Sequence, residues 1–284
     1  MKSIEIGGGF RPAVIGMAAV YLALLSLVFF LAFCNLGGRP FWGDEAETAL
    51  LARNVLRFGV PKVDDGANHI SLHGDKYDAR EGVWTWSPWL PDYMVAGSFA
   101  VFGQTTWAGR APFAFVGWLS VIALGLVAWQ IYRRHRVALS AMLLLGVSEV
   151  FLLHIRQCRY YSLTVLAEIF LVLGIYQILG GKKAGPWFVV VALLAQFYCN
   201  YVCALANVPI LVILALTLFR RDRHSFLRLV SGLAIFGLLA LPWLCFAEVW
   251  RQGSAEGREP VAQLLRFYAW QFQFHFFPWC FLLL

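Results

Sequence analysis

Charge is scarce in this chain. Only 14% of its 284 residues are Asp, Glu, Lys or Arg, and residues 12–36, 111–132, 184–219 and 229–247 hold none at all. Two further runs, 137–153 and 160–181, carry one glutamate each, Glu149 and Glu168. With 60% hydrophobic residues and a mean hydropathy of +0.68, this scarcity excludes a soluble domain. A helical membrane span needs roughly 20 consecutive apolar residues, and the chain supplies several such runs. Cysteine chemistry is thin as well. Cys34, Cys158, Cys199, Cys203, Cys245 and Cys280 form no CxxC pair and no metal-like spacing, which argues against a disulfide framework or a zinc site. There is no repeat of fixed period and no low-complexity linker, and "GGG" at 7–9 reads as a flexible lead-in. A net charge of +7 would suit nucleic acid, but its placement along the chain points to membrane topology, so no nucleic-acid partner is expected.

The first apolar run follows Lys2 and Arg11, as a secretory signal would. It is longer than the usual core of about 7–15 residues and lacks a small-x-small cleavage site, so it reads as an uncleaved first span. The basic clusters are Lys2 with Arg11, Arg133/Arg134/Arg136, Lys182/Lys183 and Arg220/Arg221/Arg223/Arg228. Cytoplasmic loops are enriched in Lys and Arg, so all four should face inward. Between Lys183 and Arg220 lie 36 uncharged residues, and flanks on the same side require an even number of crossings. Two spans therefore meet there, turning near Asn200. The same parity rule makes residues 93–109 an amphipathic or apolar helix at the outer interface rather than a span.

The expected architecture is an all-α integral membrane protein with an inside N-terminus. Seven spans lie near 13–34, 111–132, 137–153, 160–180, 185–199, 201–219 and 229–247. Residues 1–247 form the transmembrane module, whose first outer loop, 35–110, contains 9 of the 16 acidic residues. Residues 248–284 begin a second outer loop and continue into an interfacial segment or an incomplete eighth span.

The outer loop opens on "FWGDEAETALLARNVLRFG" (41–59), with Asp44, Glu45 and Glu47 directly beyond the first span. Asp44 and Glu47 have the spacing of a capping box at a helix start. Leu51, Val55 and Phe58 would line one face of that helix, and Gly59 with Pro61 would end it. A cap requires one carboxylate; a second at the membrane boundary would have its affinity for protons raised by desolvation and is a candidate general base. In "ANHISLHGDKYDA" (67–79), His69 and His73 suggest a metal, yet the alternation and Gly74-Asp75 read as a hairpin. Four residues along a strand span roughly 13 Å, too far for one ion. "LLHIRQCRYYSL" (152–163) places His154, Arg156, Arg159, Tyr160 and Tyr161 in a short outer turn. Snorkelling arginines with an aromatic belt would explain it, and so would an anion site, since guanidinium groups bind phosphate. Arg110, at the outer mouth of the second span, is a further anion candidate. Glu149, about one turn below the outer end of its span, is placed to pair with an arginine of that turn, and Glu168 to brace packing; ionisable groups within spans are functional candidates in their own right.

Taken in order, "FWGDEAETALLAR", an interfacial helix ending in "FG", "GRAPFAFVGW" entering the second span, "RQCRYYSL" after the third and "LPWL" late in the seventh resemble the polyprenyl-phosphate-sugar-dependent glycosyltransferases of the GT-C fold. This is the superfamily of the protein O-mannosyltransferases and the lipid A aminoarabinose transferase. The resemblance implies a GT-C helical bundle with interfacial helices in the first outer loop, and Asp44 as catalytic base supported by Glu45. Arg110 would hold the carrier phosphate, flanked by Arg156 and Arg159, with Arg53, His154, Tyr160 and Tyr161 as further candidates. It implies transfer of a hexosyl or pentosyl group, with inversion, from a polyprenyl phosphate to a glycan, lipid or protein acceptor on the periplasmic or extracellular side of the bacterial inner membrane. "WTWSPWLPDY" stands where a Pro-Pro-Leu motif is usual, and the turn after the third span lacks the acidic residue of metal-dependent relatives, so no metal cofactor is expected. Relatives also run well beyond 284 residues, which makes a truncated, inactive fragment one alternative. A protein that binds or flips polyprenyl lipids without chemistry is another.

Overall fold

A chain crossing hydrocarbon must satisfy its backbone N–H and C=O groups internally, and here the apolar runs do so as helices. The computed structural model describes residues 12–71 and 79–251 together with helical positions 263, 266, 267 and 270. In chain order the helices are α1 (Pro12–Phe33), α2 (Gly43–Phe58), α3 (Leu90–Phe102), α4 (Thr106–Tyr132), α5 (His135–Gly146), α6 (Glu149–Ile155), α7 (Tyr161–Leu179), α8 (Gly185–Cys199), α9 (Tyr201–Ala206), α10 (Val208–Arg221) and α11 (Arg223–Ala247). Two short antiparallel strands, β1 (Ala79–Arg80) and β2 (Val83–Trp84), precede α3.

Among the described residues, α1, α4, α7, the α9–α10 pair and α11 are long and apolar enough to cross a membrane. The expected third span is not one straight rod. It is α5 followed by α6 across a 64° bend, where Ser148 leaves the helical conformation and its side chain caps α6 by accepting from Phe151 N–H at 3.4 Å. Helix α8 is apolar but has 15 residues, about 22 Å at 1.5 Å per residue, less than a hydrocarbon core of roughly 30 Å. All seven expected segments are thus helical, and crossing length is met by five of them, or six with the bent pair. The helix breaks at Asn200, where the turn was expected; its extended backbone ends α8 and its side chain accepts from Val202 N–H at 3.0 Å to start α9.

Ser225 Oγ donates to Ile178 O at 3.1 Å and Arg228 Nη1 to Gly181 O, which joins the start of α11 to the end of α7. Within the bundle, the Glu168 carboxylate accepts from Gln196 Nε2 at 2.7 Å and Asn207 Nδ2 at 3.0 Å. That bond braces α7 against α8 and against the break between α9 and α10. Glu149 is exposed at the start of α6 and makes no ion pair with an arginine of the following turn among the described residues.

The outer layer is α2 and α3, packed across the outer end of α4. Ala49, Ala52 and Val55 meet Val95, Ala96 and Phe99, and both rows close on Ala108 and Phe113. Leu51 packs instead on Val63 and Trp84 beneath the β1–β2 hairpin. The hairpin expected at 67–79 has its Gly74-Asp75 tip and His73 outside the described residues; the described part holds an Asp64–His69 bridge, with His69 Nδ1 3.5 Å from Asp64 Oδ2. Most of the C-terminal segment assigned to an interface or eighth span also lies outside them.

One hydrogen bond seats α3 on α4. Pro112 has no N–H to give the carbonyl of Ala108 four residues earlier. Ser98 Oγ donates to that carbonyl instead, at 2.6 Å in a buried setting. Ser98→Ala should therefore destabilise the folded chain by about 1 kcal/mol, the usual net worth of such a bond. Thermal unfolding in detergent checks this, and an unchanged midpoint would show that the carbonyl finds another partner.

Candidate functional site

The local fold of α2 separates the acidic pair. The helix begins at Gly43, with Trp42 at its N-cap, so Asp44 is inside the first turn rather than at the cap. Trp42 has no side-chain acceptor, and the capping bond that is made comes from Trp42 N–H to Glu45 Oε2 at 3.3 Å. The expected Asp44–Glu47 box is therefore replaced by Glu45 acting alone, because the helix starts two residues earlier than that box requires. Asp44 is left free of capping.

Glu45 is wholly buried. Besides Trp42 it accepts from Arg110 Nε at 2.8 Å, Arg110 Nη2 at 2.6 Å and the backbone N–H of Cys158 at 2.7 Å. Arg110 in turn donates to Leu36 O (3.0 Å), Arg39 O (2.9 Å) and Pro40 O (3.0 Å). A guanidinium has five N–H groups, and all five of Arg110 are used. Its plane also packs over Phe41, and a Cβ on the adjacent Gly109 would come within 2.6 Å of that ring, so only glycine permits the approach. Arg156 is similarly engaged: Nη1 donates to Leu31 O at 2.6 Å and Nη2 to Cys34 O at 2.7 Å, closing the end of α1. All five N–H groups of Arg110, and two of the five of Arg156, are thus engaged by protein acceptors.

Arg159 is arranged differently. Its Nη2 lies 3.5 Å from Asp44 Oδ2, and Nη1 donates to Asp44 O (3.1 Å), Glu47 Oε1 (3.3 Å) and Thr48 Oγ1 (3.3 Å). Its Nε is buried with no hydrogen-bond partner among the described residues. Burial works against its charge, but the Glu47 and Asp44 carboxylates outweigh that and hold its pKa above the usual arginine value. The Asp44 side chain is 49% exposed, while that of Arg159 is only 17% exposed.

Asp44 and Arg159 open onto a cavity of about 350 Å³ between the outer layer and the bundle. Glu47, Thr48 and Asp92 form its acidic wall, Trp86 to Pro88 its rim, and Tyr160 with Cys199 to Val202 its far side. Of the other expected residues, Tyr160 reaches this cavity, its hydroxyl pKa pushed up first by burial and then by Tyr161. His154 Nδ1–H donates to Val150 O at 2.7 Å and the ring stacks edge-on to Tyr161; neither lines the cavity. Arg53 is nine residues from Asp44, hence on the opposite face of α2. It lines a separate depression of about 300 Å³ with Arg57, Asp65 and Gln104.

Asp92 is the residue the sequence reading missed. It sits in the first turn of α3, is 4% exposed, and its Oδ2 has no partner among the described residues. Burial, followed by the nearby Glu47 charge, pushes its carboxyl well above the usual range, with Arg159 only partly opposing. The signal was a lone carboxylate between "WLP" and the apolar run that begins at Tyr93.

No protein-family model matches the chain, and no curated protein sequence does. Among solved structures, the chain is similar to the crystal structure of ArnT from Cupriavidus metallidurans bound to undecaprenyl phosphate. The TM-score is 0.59 at 16% identity, and the match covers 82% of this chain and 42% of that one. The chain thus spans less than half the length of that protein. The likeness is one of fold: this is a multi-span helical membrane protein of the GT-C type.

Proposed function

We propose that the chain is a membrane glycosyltransferase that moves a sugar from a polyprenyl-phosphate donor to an acceptor at the periplasmic or extracellular surface, with Asp44 as general base and with inversion. The observation that carries this reading is the half-exposed Asp44 carboxylate beside the Arg159 guanidinium, on the wall of a sugar-sized cavity. The likeness to a protein crystallised with undecaprenyl phosphate supports the choice of donor.

In this scheme Asp44 accepts the proton of an acceptor hydroxyl or amine as its oxygen or nitrogen bonds to the anomeric carbon. The anomeric carbon–oxygen bond breaks on the opposite face, and the electron pair leaves with the polyprenyl phosphate. Phosphate is a good leaving group, so no acid opposite the base is required, unlike the paired carboxylates of glycosidases. Arg159, with an unused Nε, stabilises the charge that grows on the phosphate. Glu45 and Arg110 position rather than react: they fix the start of α2 and hence the place of Asp44.

Arg159→Met should weaken binding of undecaprenyl phosphate to the nanodisc-embedded chain by about 10–100-fold, the worth of a charge-assisted hydrogen bond. Equal binding by the variant would remove Arg159 from the phosphate site. Transfer itself is tested by mass spectrometry of envelope glycans from cells with and without the chain. Identical profiles, alongside intact lipid binding, would favour a lipid-binding or flipping protein instead.

A further inference from the structure

We infer that Asp92 is a further ligand-contacting residue of the cavity, which recognises a hydroxyl group of the sugar carried by the donor lipid. The inference rests on the proposed glycosyl transfer and deepens it. Three observations converge on this carboxyl. It lines the cavity, it is almost wholly buried, and one of its oxygens has no partner among the described residues. Buried polar atoms in folded proteins are nearly always paired, and an orphan at a cavity wall marks a place where something else supplies the bond.

The chemistry of the wall says what that something is. The cavity offers the aromatic side chains Trp86, Tyr160 and Tyr201 beside the carboxyl and amide groups of Asp92 and Asn200. Apolar ring faces next to planar polar groups match a pyranose or furanose, which has C–H faces and a rim of hydroxyls. Bare phosphate needs none of the aromatic surface, and Arg159 already supplies its positive charge.

Protonation decides how the contact works. An ionised Asp92 would add a third negative charge to Asp44 and Glu47, in a cavity whose donor also carries a phosphate. Burial and Glu47 instead favour the neutral acid, despite its place in a first helical turn, where the helix dipole helps an anion. A neutral carboxyl has one O–H donor and remaining acceptor capacity, so it can engage a hydroxyl in both directions. The charged and titratable groups around it are Asp44 and Glu47 on α2, Cys158, Arg159 and Tyr160 in the outer turn, and Cys199 and Tyr201 at the α8–α9 corner. The Cys158 thiol, raised by burial, stays neutral near pH 7, and Arg159 stays charged.

The test is competitive binding of a polyprenyl-phosphate lipid fraction, sugar-bearing and bare, extracted from the membranes that hold the chain. Native mass spectrometry of the nanodisc-embedded protein reads both lipids in one sample. The wild-type chain should prefer the sugar-bearing lipid. Asp92→Leu should lose about tenfold of that preference, the cost of leaving a hydroxyl without its partner. Asp92→Asn, which keeps a donor and an acceptor, should restore most of it, and retained binding of bare lipid shows that each variant is folded. The wild-type preference should also fall as pH rises through the raised Asp92 value, where the neutral acid is lost; that fall should be absent from Asp92→Asn. Retained preference in Asp92→Leu, or equal loss in both variants, would overturn the inference while leaving Asp44 in place. No preference in the wild-type chain would overturn the transferase reading, and this contact with it.

Discussion

Asp44→Asn should reduce sugar transfer by about 10²–10⁴-fold, the range over which a positioned general base contributes. Asparagine keeps the size and the hydrogen-bonding shape of the side chain but takes up no proton at neutral pH. Asp44 is in the first turn of α2, and among the described residues Arg159 Nη2 is the group near its carboxylate, at 3.5 Å, so the substitution removes one partly exposed ion pair while Glu47 Oε1, at 3.3 Å, still faces Arg159. The folded chain should unfold at nearly the same temperature, since an ion pair with its carboxylate half in solvent is worth about 1 kcal/mol. Binding of undecaprenyl phosphate should persist as well, because Arg159 is retained and one competing carboxylate is gone. Transfer is measured with the reconstituted chain, its extracted lipid-linked sugars and an envelope acceptor fraction. Full activity in Asp44→Asn would end the assignment of Asp44 as base.

The largest loss of stability is expected one residue further on. Glu45→Ala removes the counter-ion of Arg110 and the acceptor for the Cys158 and Trp42 N–H groups at a position with no solvent exposure. Leaving one member of a buried pair alone costs roughly 3–5 kcal/mol. Arg110→Met should cost a similar amount by the reverse argument, since it leaves the Glu45 carboxylate buried with only two backbone donors. The double variant Glu45→Met with Arg110→Met should recover part of the loss, because no buried charge remains. Recovery should stay incomplete, since the Leu36, Arg39 and Pro40 carbonyls and the Cys158 N–H also lose their partners. Denaturation midpoints of the four proteins close the cycle, and strictly additive losses would mean that the two side chains do not act as a pair.

Much of the fold was legible in charge placement. The uncharged runs located the helical segments, and one parity argument the helix break at Asn200 and the separate helix before the second span. The 64° bend between α5 and α6 was not legible, since Ser148 is also at home in a continuous helix. At the site, the acidic pair and the arginines of the outer turn were visible as residue types out of keeping with their surroundings. That Arg110 has no donor to spare was not. Arg110 is saturated by carbonyls of the Leu36–Pro40 turn, and no spacing rule reveals where those carbonyls point. Asp92 escaped because the apolar stretch was counted from Tyr93, one residue past it.

The short turn at 156–159 makes three links to two separate helices within four residues. Arg156 grips the end of α1, Cys158 gives its N–H to Glu45, and Arg159 faces Asp44 and Glu47. Adding or deleting a single amino acid here would shift at least one of those links out of register with the others, whatever residue was chosen. Length, more than side-chain identity, is then what this segment cannot afford to change.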